Sequence, residues 1–123
     1  MARILIIEDH PDNLDLMRYL LAAAGHAVLT ATDGEAGLQA ARRERPDLIV
    51  CDVHMPHKTG LEVVMALTGD PSFAAIPVIA VTASAMMGDR ETIIAAGFRD
   101  YLSKPIEPET FVGQIERHLP RAV

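Results

Sequence analysis

Residues 48–56 read Leu48-Ile49-Val50-Cys51-Asp52-Val53-His54-Met55-Pro56. Four apolar residues run together without alternation, and then a carboxylate ends the run. A strand with one wet face would alternate apolar and polar residues. A continuous run describes a short strand buried on both faces. Residues 4–7 (Ile4-Leu5-Ile6-Ile7) and 77–82 repeat the pattern, and residues 27–31 and the weaker 100–103 supply two more short apolar runs.

Helical spacing fills the gaps between these runs. From about residue 12 to 24, apolar side chains recur at Leu16, Met17, Leu20, Leu21 and Ala24, and Gly25 ends the helix. A second helix starts after Asp33, a good N-cap, and stops before Pro46. A third covers about residues 61–67 and stops near Gly69-Asp70-Pro71. A fourth follows Gly88-Asp89 and ends at Gly97, and a fifth follows Pro108 and ends before Pro120. Strands alternating with helices predict an α/β fold of right-handed crossover units. Five strands then form a parallel sheet of order 2-1-3-4-5, with helices on both faces.

The chain has 123 residues, one domain's length, and half of them are hydrophobic, enough for a real core. Aromatic residues are 4% and Trp is absent, so aliphatic side chains and Met fill that core. Eleven Lys and Arg against 17 Asp and Glu give a net charge of −6, which argues against nucleic acid or lipid headgroups as partners. A single Cys excludes an internal disulfide and a Cys-cluster metal site. No apolar run approaches the roughly 18 residues of a membrane span. Glu8 and Asp9 cut the N-terminal apolar stretch too early for a signal peptide. The expectation is a cytoplasmic single domain over residues 1–123, with 120–123 as a stub.

In a sheet of this order, ligands bind beyond the carboxyl ends of the strands, beside the switch point between strands 1 and 3. The residues at those ends are Glu8-Asp9, Asp52, Thr82 and Lys104-Pro105, whereas strand 2 ends without charge in Thr30-Ala31-Thr32. Carboxylates sharing one crevice repel by about 4 kcal/mol at 4 Å and an effective dielectric of about 20. A divalent cation relieves this, and clustered oxygen ligands without His or Cys suit Mg²⁺ better than Zn²⁺. A metal, a lysine and a hydroxyl around one carboxylate make a clamp for a phosphoryl group. The carboxylate can then attack phosphorus and carry the group as an acyl phosphate. Asp52 is central and alone at its strand end, which makes it the candidate nucleophile, with Glu8 and Asp9 as metal ligands.

Taken in order, these motifs resemble the receiver domain of two-component response regulators. They are the acidic pair Glu8-Asp9, Asp52 followed by Met55-Pro56 and Gly60, the Thr82-Ala83 step and the Lys104-Pro105 step. The match covers essentially the whole chain. The stretch 77–89 and the absence of a further module look most like single-domain, cell-division-type (DivK-like) receivers.

The resemblance implies specific roles. Asp52 is the phosphoacceptor, receiving phosphate from a phosphohistidine on a histidine kinase or histidine phosphotransferase. Mg²⁺ is held by Asp9, Asp52 and the backbone carbonyl of His54, with Glu8 acting through water. Thr82 and Lys104 each meet a phosphoryl oxygen, and Tyr101 is the aromatic switch residue whose ring turns inward when Thr82 moves. Lys104-Pro105 is a cis peptide. His10, Asp12, Asn13 and Ile106 are docking candidates for the donor. The loop at 83–88 shifts on phosphorylation, and a downstream protein reads the surface of helix 4, strand 5 and helix 5, as a monomer or a phosphorylation-dependent dimer. Glu8 stands where Asp is more frequent. His54 occupies a variable position that tunes dephosphorylation, and its side chain either meets the phosphoryl group or faces solvent.

Other residues have simpler readings. Cys51 is a small core residue, the five His are surface residues, and one of Met86 and Met87 offers an adaptable contact. A flavodoxin-like electron carrier needs a phosphate loop and stacking aromatics, which His10-Pro11-Asp12 does not provide. A haloacid-dehalogenase-type phosphatase needs Asp-x-Asp after strand 1 and a cap domain. A receiver that only binds partners would not need every reacting residue. The expectation is a chain with no output module, or else the receiver fragment of a hybrid kinase or multidomain regulator.

Overall fold

The structure, a computed structural model, describes residues 2–55, 58–83 and 89–119. The elements run β1 (Arg3–Ile7), α1 (Pro11–Ala23), β2 (Ala27–Ala31), α2 (Gly34–Glu44), β3 (Leu48–Asp52), α3 (Gly60–Thr68), β4 (Val78–Thr82), α4 (Asp89–Ala96), β5 (Asp100–Ser103) and α5 (Pro108–Glu116). A short 3₁₀ turn at Pro71–Phe73 lies between α3 and β4. The strands form one parallel sheet in the order β2-β1-β3-β4-β5, as the alternating pattern predicts.

The continuous apolar runs are buried on both faces. Residues 4–7 of β1 and 48–51 of β3 have no exposed surface. Period-2 alternation divides them between two cores. Ile4, Ile6, Leu48, Val50, Ile79, Val81 and Leu102 face Met17 and Leu21 of α1 and Phe111 and Ile115 of α5. Leu5, Ile7, Ile49, Cys51 and Ala80 face Leu38 of α2, Val63, Val64 and Leu67 of α3, and Ile93 of α4. Leu16 and Leu20 are partly buried against the first of these cores. Cys51 is a core residue, and its burial drives the thiol well above the ordinary thiol range.

Local chemistry sets the helix ends. The Asp33 side chain accepts from the Ala36 amide at 2.8 Å and caps α2. Arg45 ends α2 in the left-handed conformation (φ 48°), and its guanidinium stacks 4.3 Å over the Phe73 ring. α3 opens with a capping box: Thr59 Oγ1 accepts from the Glu62 amide at 3.2 Å, and Glu62 accepts from the Thr59 amide at 3.1 Å. Gly25, with φ +94°, follows α1 where the sequence places its stop.

Two histidines correct the expectation that all five lie on the surface. The His26 side chain is 7% exposed; Nδ1 accepts the Ala2 amide at 3.1 Å and Nε2 lies 2.8 Å from Glu116. The His118 side chain is 16% exposed, with Nε2 2.8 Å from Asp100. Both sit at turns that the fold presses against a neighbouring element, a proximity that local sequence does not encode. Pro56, His57, Met86, Met87 and the stub at 120–123 lie outside the described residues, as does all of the 83–88 loop but Ala83.

The start of α3 is pressed against the end of β3. A Cβ on Gly60 would stand 2.2 Å from the Asp52 carbonyl oxygen and 2.8 Å from Val53 Cα. The Gly60 amide donates to the Val53 carbonyl at 2.9 Å. Backbone on both sides leaves no side chain to yield, so Gly60→Ala must move β3 or α3. We expect it to destabilise the fold by about 1–3 kcal/mol, the usual cost of overpacking. Urea unfolding measures this, and an unchanged midpoint would show that the contact is not tight.

Candidate functional site

Strand phase, more than any loop, assembles the site. Glu8 continues the stripe of Ile4 and Ile6, and Asp52 continues that of Leu48 and Val50. Lys104 lies two residues beyond Leu102. All three therefore project from the carboxyl edge of the sheet on the α1/α5 side. Thr82 is in phase with Ala80, on the side of α2, α3 and α4. It ends β4, pairs in register with Ser103, is 1% exposed, and its carbonyl accepts the Lys104 amide at 2.8 Å.

Charges meet at the centre of this edge. Lys104 Nζ lies 3.0 Å from Glu8 Oε1 and 3.3 Å from Asp52 Oδ2. Glu8 is fully buried and Asp52 is 4% exposed. Asp52 Oδ1 accepts the His54 amide at 3.1 Å, and Glu8 Oε2 accepts the His10 amide at 3.2 Å. Both carboxylates are thus held by the backbone that leaves their own strands. Carboxylate oxygens of Glu8, Asp9 and Asp52 all lie within 4.8 Å of one another, and Asp9 is the one that solvent reaches.

Burial, reinforced by the Asp52 carboxylate beside it, pushes the Glu8 carboxyl up to about 7. The Lys104 ammonium and the His10 amide pull the other way but do not win. For Lys104, burial alone would favour the neutral amine. The close carboxylates of Glu8 and Asp52 outweigh it and lift the ammonium above the ordinary lysine range. One positive charge therefore serves two carboxylates and leaves the pocket short of cation.

The donor set fits a hard divalent cation. Among the described residues it holds three carboxylates and no soft ligand. In addition, Glu8 Oε1 is buried without a hydrogen-bond partner among the described residues; it sits at ion-pair distance from Lys104 but outside the directions of a good hydrogen bond. A cation, or water bound to it, would satisfy that oxygen and displace the proton that Glu8 tends to keep.

The remaining candidates lie around this centre. His54 is exposed. His10 and Asp12 are exposed and Asn13 is half-buried at the start of α1. Ile106 is 7% exposed and belongs to the α1/α5 core. Tyr101 is half-buried on β5, opposite Ala80 in register. The Lys104–Pro105 peptide is cis, as the resemblance implies. Sequence reasoning missed two supports of the site. One is the Thr59-x-x-Glu62 box, which fixes the entry to α3 and was legible as a local pattern. The other is Arg90, whose guanidinium lies 5.6 Å over the Tyr101 ring, a pairing across two elements with no local signal.

Comparison with known proteins agrees with this geometry. The family model of the response regulator receiver domain matches residues 4–116. The polar-differentiation response regulator DivK of Brucella anthropi is 42% identical over 116 residues, covering 94% of each chain. The DivK of Brucella ovis is 41% identical over the same length and shares of each chain. Among solved structures, the chemotaxis response regulator CheY4 of Vibrio cholerae superposes with a TM-score of 0.91 at 32% identity, covering 97% of this chain and 99% of that one. The receiver domain of the sensor histidine kinase PA1611 of Pseudomonas aeruginosa, solved with a magnesium ion in its active-site cleft, gives a TM-score of 0.86 at 32% identity, covering 94% of this chain and 95% of that one. With its sheet order, its acidic edge and its DivK-like sequence, the chain belongs to the response regulator receiver domain family of two-component systems.

Proposed function

We propose that the chain is a phosphoacceptor switch in a two-component phosphorelay, with Asp52 as the residue that carries the phosphoryl group. The observation that supports this most is the placement of Asp52. It is nearly buried at the open edge of the sheet, with one oxygen on the His54 amide and the other facing the Lys104 ammonium. Such a carboxylate is oriented, and a cation stands ready for the charge of an incoming group.

The donor is a phosphohistidine of a histidine kinase or histidine phosphotransferase. An Asp52 oxygen attacks phosphorus in line as the P–N bond breaks. The electron pair of that bond stays on the imidazole, which takes a proton and leaves neutral. The product is an acyl phosphate on Asp52. Asp9, Asp52 and the His54 carbonyl would hold Mg²⁺, with Glu8 reaching it through water. When bound, it supplies positive charge against the phosphoryl oxygens and the crowded carboxylates. Lys104 pairs with one phosphoryl oxygen, exchanging part of its contact with Glu8 and Asp52 for the new anion. The Thr82 hydroxyl, across the strand edge, bonds to another.

Thr82 and Lys104 are also the route by which the change spreads, because the Lys104 amide is fixed to the Thr82 carbonyl. Movement of Thr82 opens the way for Tyr101 and reshapes the surface of α4, β5 and α5 for a downstream protein. This is a shift between two populations, so the phosphoryl group must contact one of them better than the other. His10, Asp12 and Asn13 at the start of α1 offer polar contacts for the donor, and Ile106 supports that edge from beneath. The chain in this reading assists its own phosphorylation and slow hydrolysis but acts mainly as a switch.

Incubation with Mg²⁺ and acetyl phosphate should give an acid-stable, base-labile phosphoprotein. Asp52→Asn should abolish the labelling; undiminished labelling of that variant contradicts the assignment, and a chelator should suppress labelling of the unaltered chain. Lys104→Ala should slow labelling by about a hundredfold, the scale for removing one preorganised electrostatic contact. Its Mg²⁺ affinity, read by titration calorimetry, should hold or tighten, because a competing positive charge is gone. Loss of Mg²⁺ affinity with labelling intact would reverse the roles given to Lys104 and the carboxylates.

A further inference from the structure

We propose that Arg90 is a positioning residue for Tyr101: it holds the ring in the place it has here, beside the cavity they both line, and so sets how much phosphoryl contact is needed to switch the chain. The proposal rests on the reading of Asp52 and Tyr101 given above. Arg90 lies on the first turn of α4, exposed, with its guanidinium 5.6 Å over the Tyr101 ring. None of the ion pairs among the described residues includes Arg90. The aromatic face is thus the partner that positions it there. A planar, weakly hydrated guanidinium suits this contact better than a compact ammonium does.

The surroundings give the contact a direction. Tyr101 and Arg90 together line a cavity of about 310 Å³ on the face of α4, β5 and α5, with Ser103, Glu107 and Gln114 among its other walls. On the inner side, the residue opposite Tyr101 in register is Ala80, and Thr82 follows it on the same sheet face. A small side chain therefore stands between the ring and Thr82. A ring that turned toward Thr82 over Ala80 would leave its place under the Arg90 guanidinium. The cation–π contact would then exist in one state and be lost in the other, which is the condition for a bias.

Such a contact at an exposed site is worth about 0.5–1 kcal/mol, or roughly two- to fivefold in the balance of the two states. Where the competent state is the minor one, a ligand's apparent affinity changes by the same factor. The chain has no Trp and two Tyr, and Tyr19 is 70% exposed on α1. In a Tyr19→Phe background, tyrosine fluorescence therefore reports Tyr101 alone.

The experiment titrates beryllofluoride, a phosphoryl analogue, at fixed Mg²⁺ and follows that fluorescence. Arg90→Ala should lower the half-conversion concentration about two- to fivefold, and Arg90→Lys should fall between it and the parent, on the scale of one exposed cation–π contact. Arg99→Ala removes an equal charge from the far end of the sheet and should leave the midpoint unchanged. An unchanged or higher midpoint for Arg90→Ala overturns the proposal, as does an equal shift from Arg99→Ala. If the parent labels with acetyl phosphate yet Tyr101 gives no signal, the switch role of Tyr101 and this proposal fall together while the phosphoacceptor reading stands. If the parent does not label, it is that reading which fails.

Discussion

A single ammonium group between two buried carboxylates organises the working end of this molecule. Lys104 Nζ reaches both Glu8 and Asp52, from a position two residues past the last core residue of β5. Two carboxylates this deeply buried would be unsustainable without a cation, because taking a charge out of water costs several kcal/mol. The lysine relieves part of that cost and no more, as the raised Glu8 carboxyl shows. The pocket is therefore held together and left incomplete by the same residue. Its remaining deficit of positive charge is what a divalent cation would meet, and its ammonium is free to turn toward a new anion.

Strand phase determines which groups share that pocket. Glu8, Asp52 and Lys104 extend three core stripes on the α1/α5 side, whereas Thr82 extends a stripe on the other side of the sheet. The edge thus presents a charged half and a hydroxyl half, joined by the hydrogen bond from the Lys104 amide to the Thr82 carbonyl. In the proposed switch, this bond is what would carry a change on one half to the other. Tyr101 sits on the hydroxyl side, opposite a small Ala80 and beneath Arg90. Gly60 serves the same end from below, letting α3 approach the Asp52 carbonyl more closely than any side chain permits.

Much of this was legible in the sequence, for a physical reason. Strands buried on both faces are continuous apolar runs, so they stand out without an alignment, and the polar residues that end them mark one edge of the sheet. The resemblance to receiver domains followed from those same residues. What local sequence could not carry was contact between distant elements. His26 against Ala2 and Glu116, His118 against Asp100, and Arg90 over Tyr101 all depend on helix and strand packing. The Thr59-Glu62 box is different, since its spacing is local and it was readable. β1 starts one residue earlier and β3 runs one residue further than their apolar runs, because pairing continues through Arg3 and Asp52.

The central claim is that Asp52, of the two carboxylates that meet Lys104, is the one that becomes an acyl phosphate. Borohydride reduces an aspartyl phosphate to homoserine and leaves unmodified carboxylates alone. Peptide mapping by mass spectrometry after phosphorylation and reduction therefore reads the site directly. The account predicts homoserine at position 52 and nowhere else. Homoserine at Asp9 or another aspartate, or phosphate retained on a histidine with residue 52 unchanged, would contradict it.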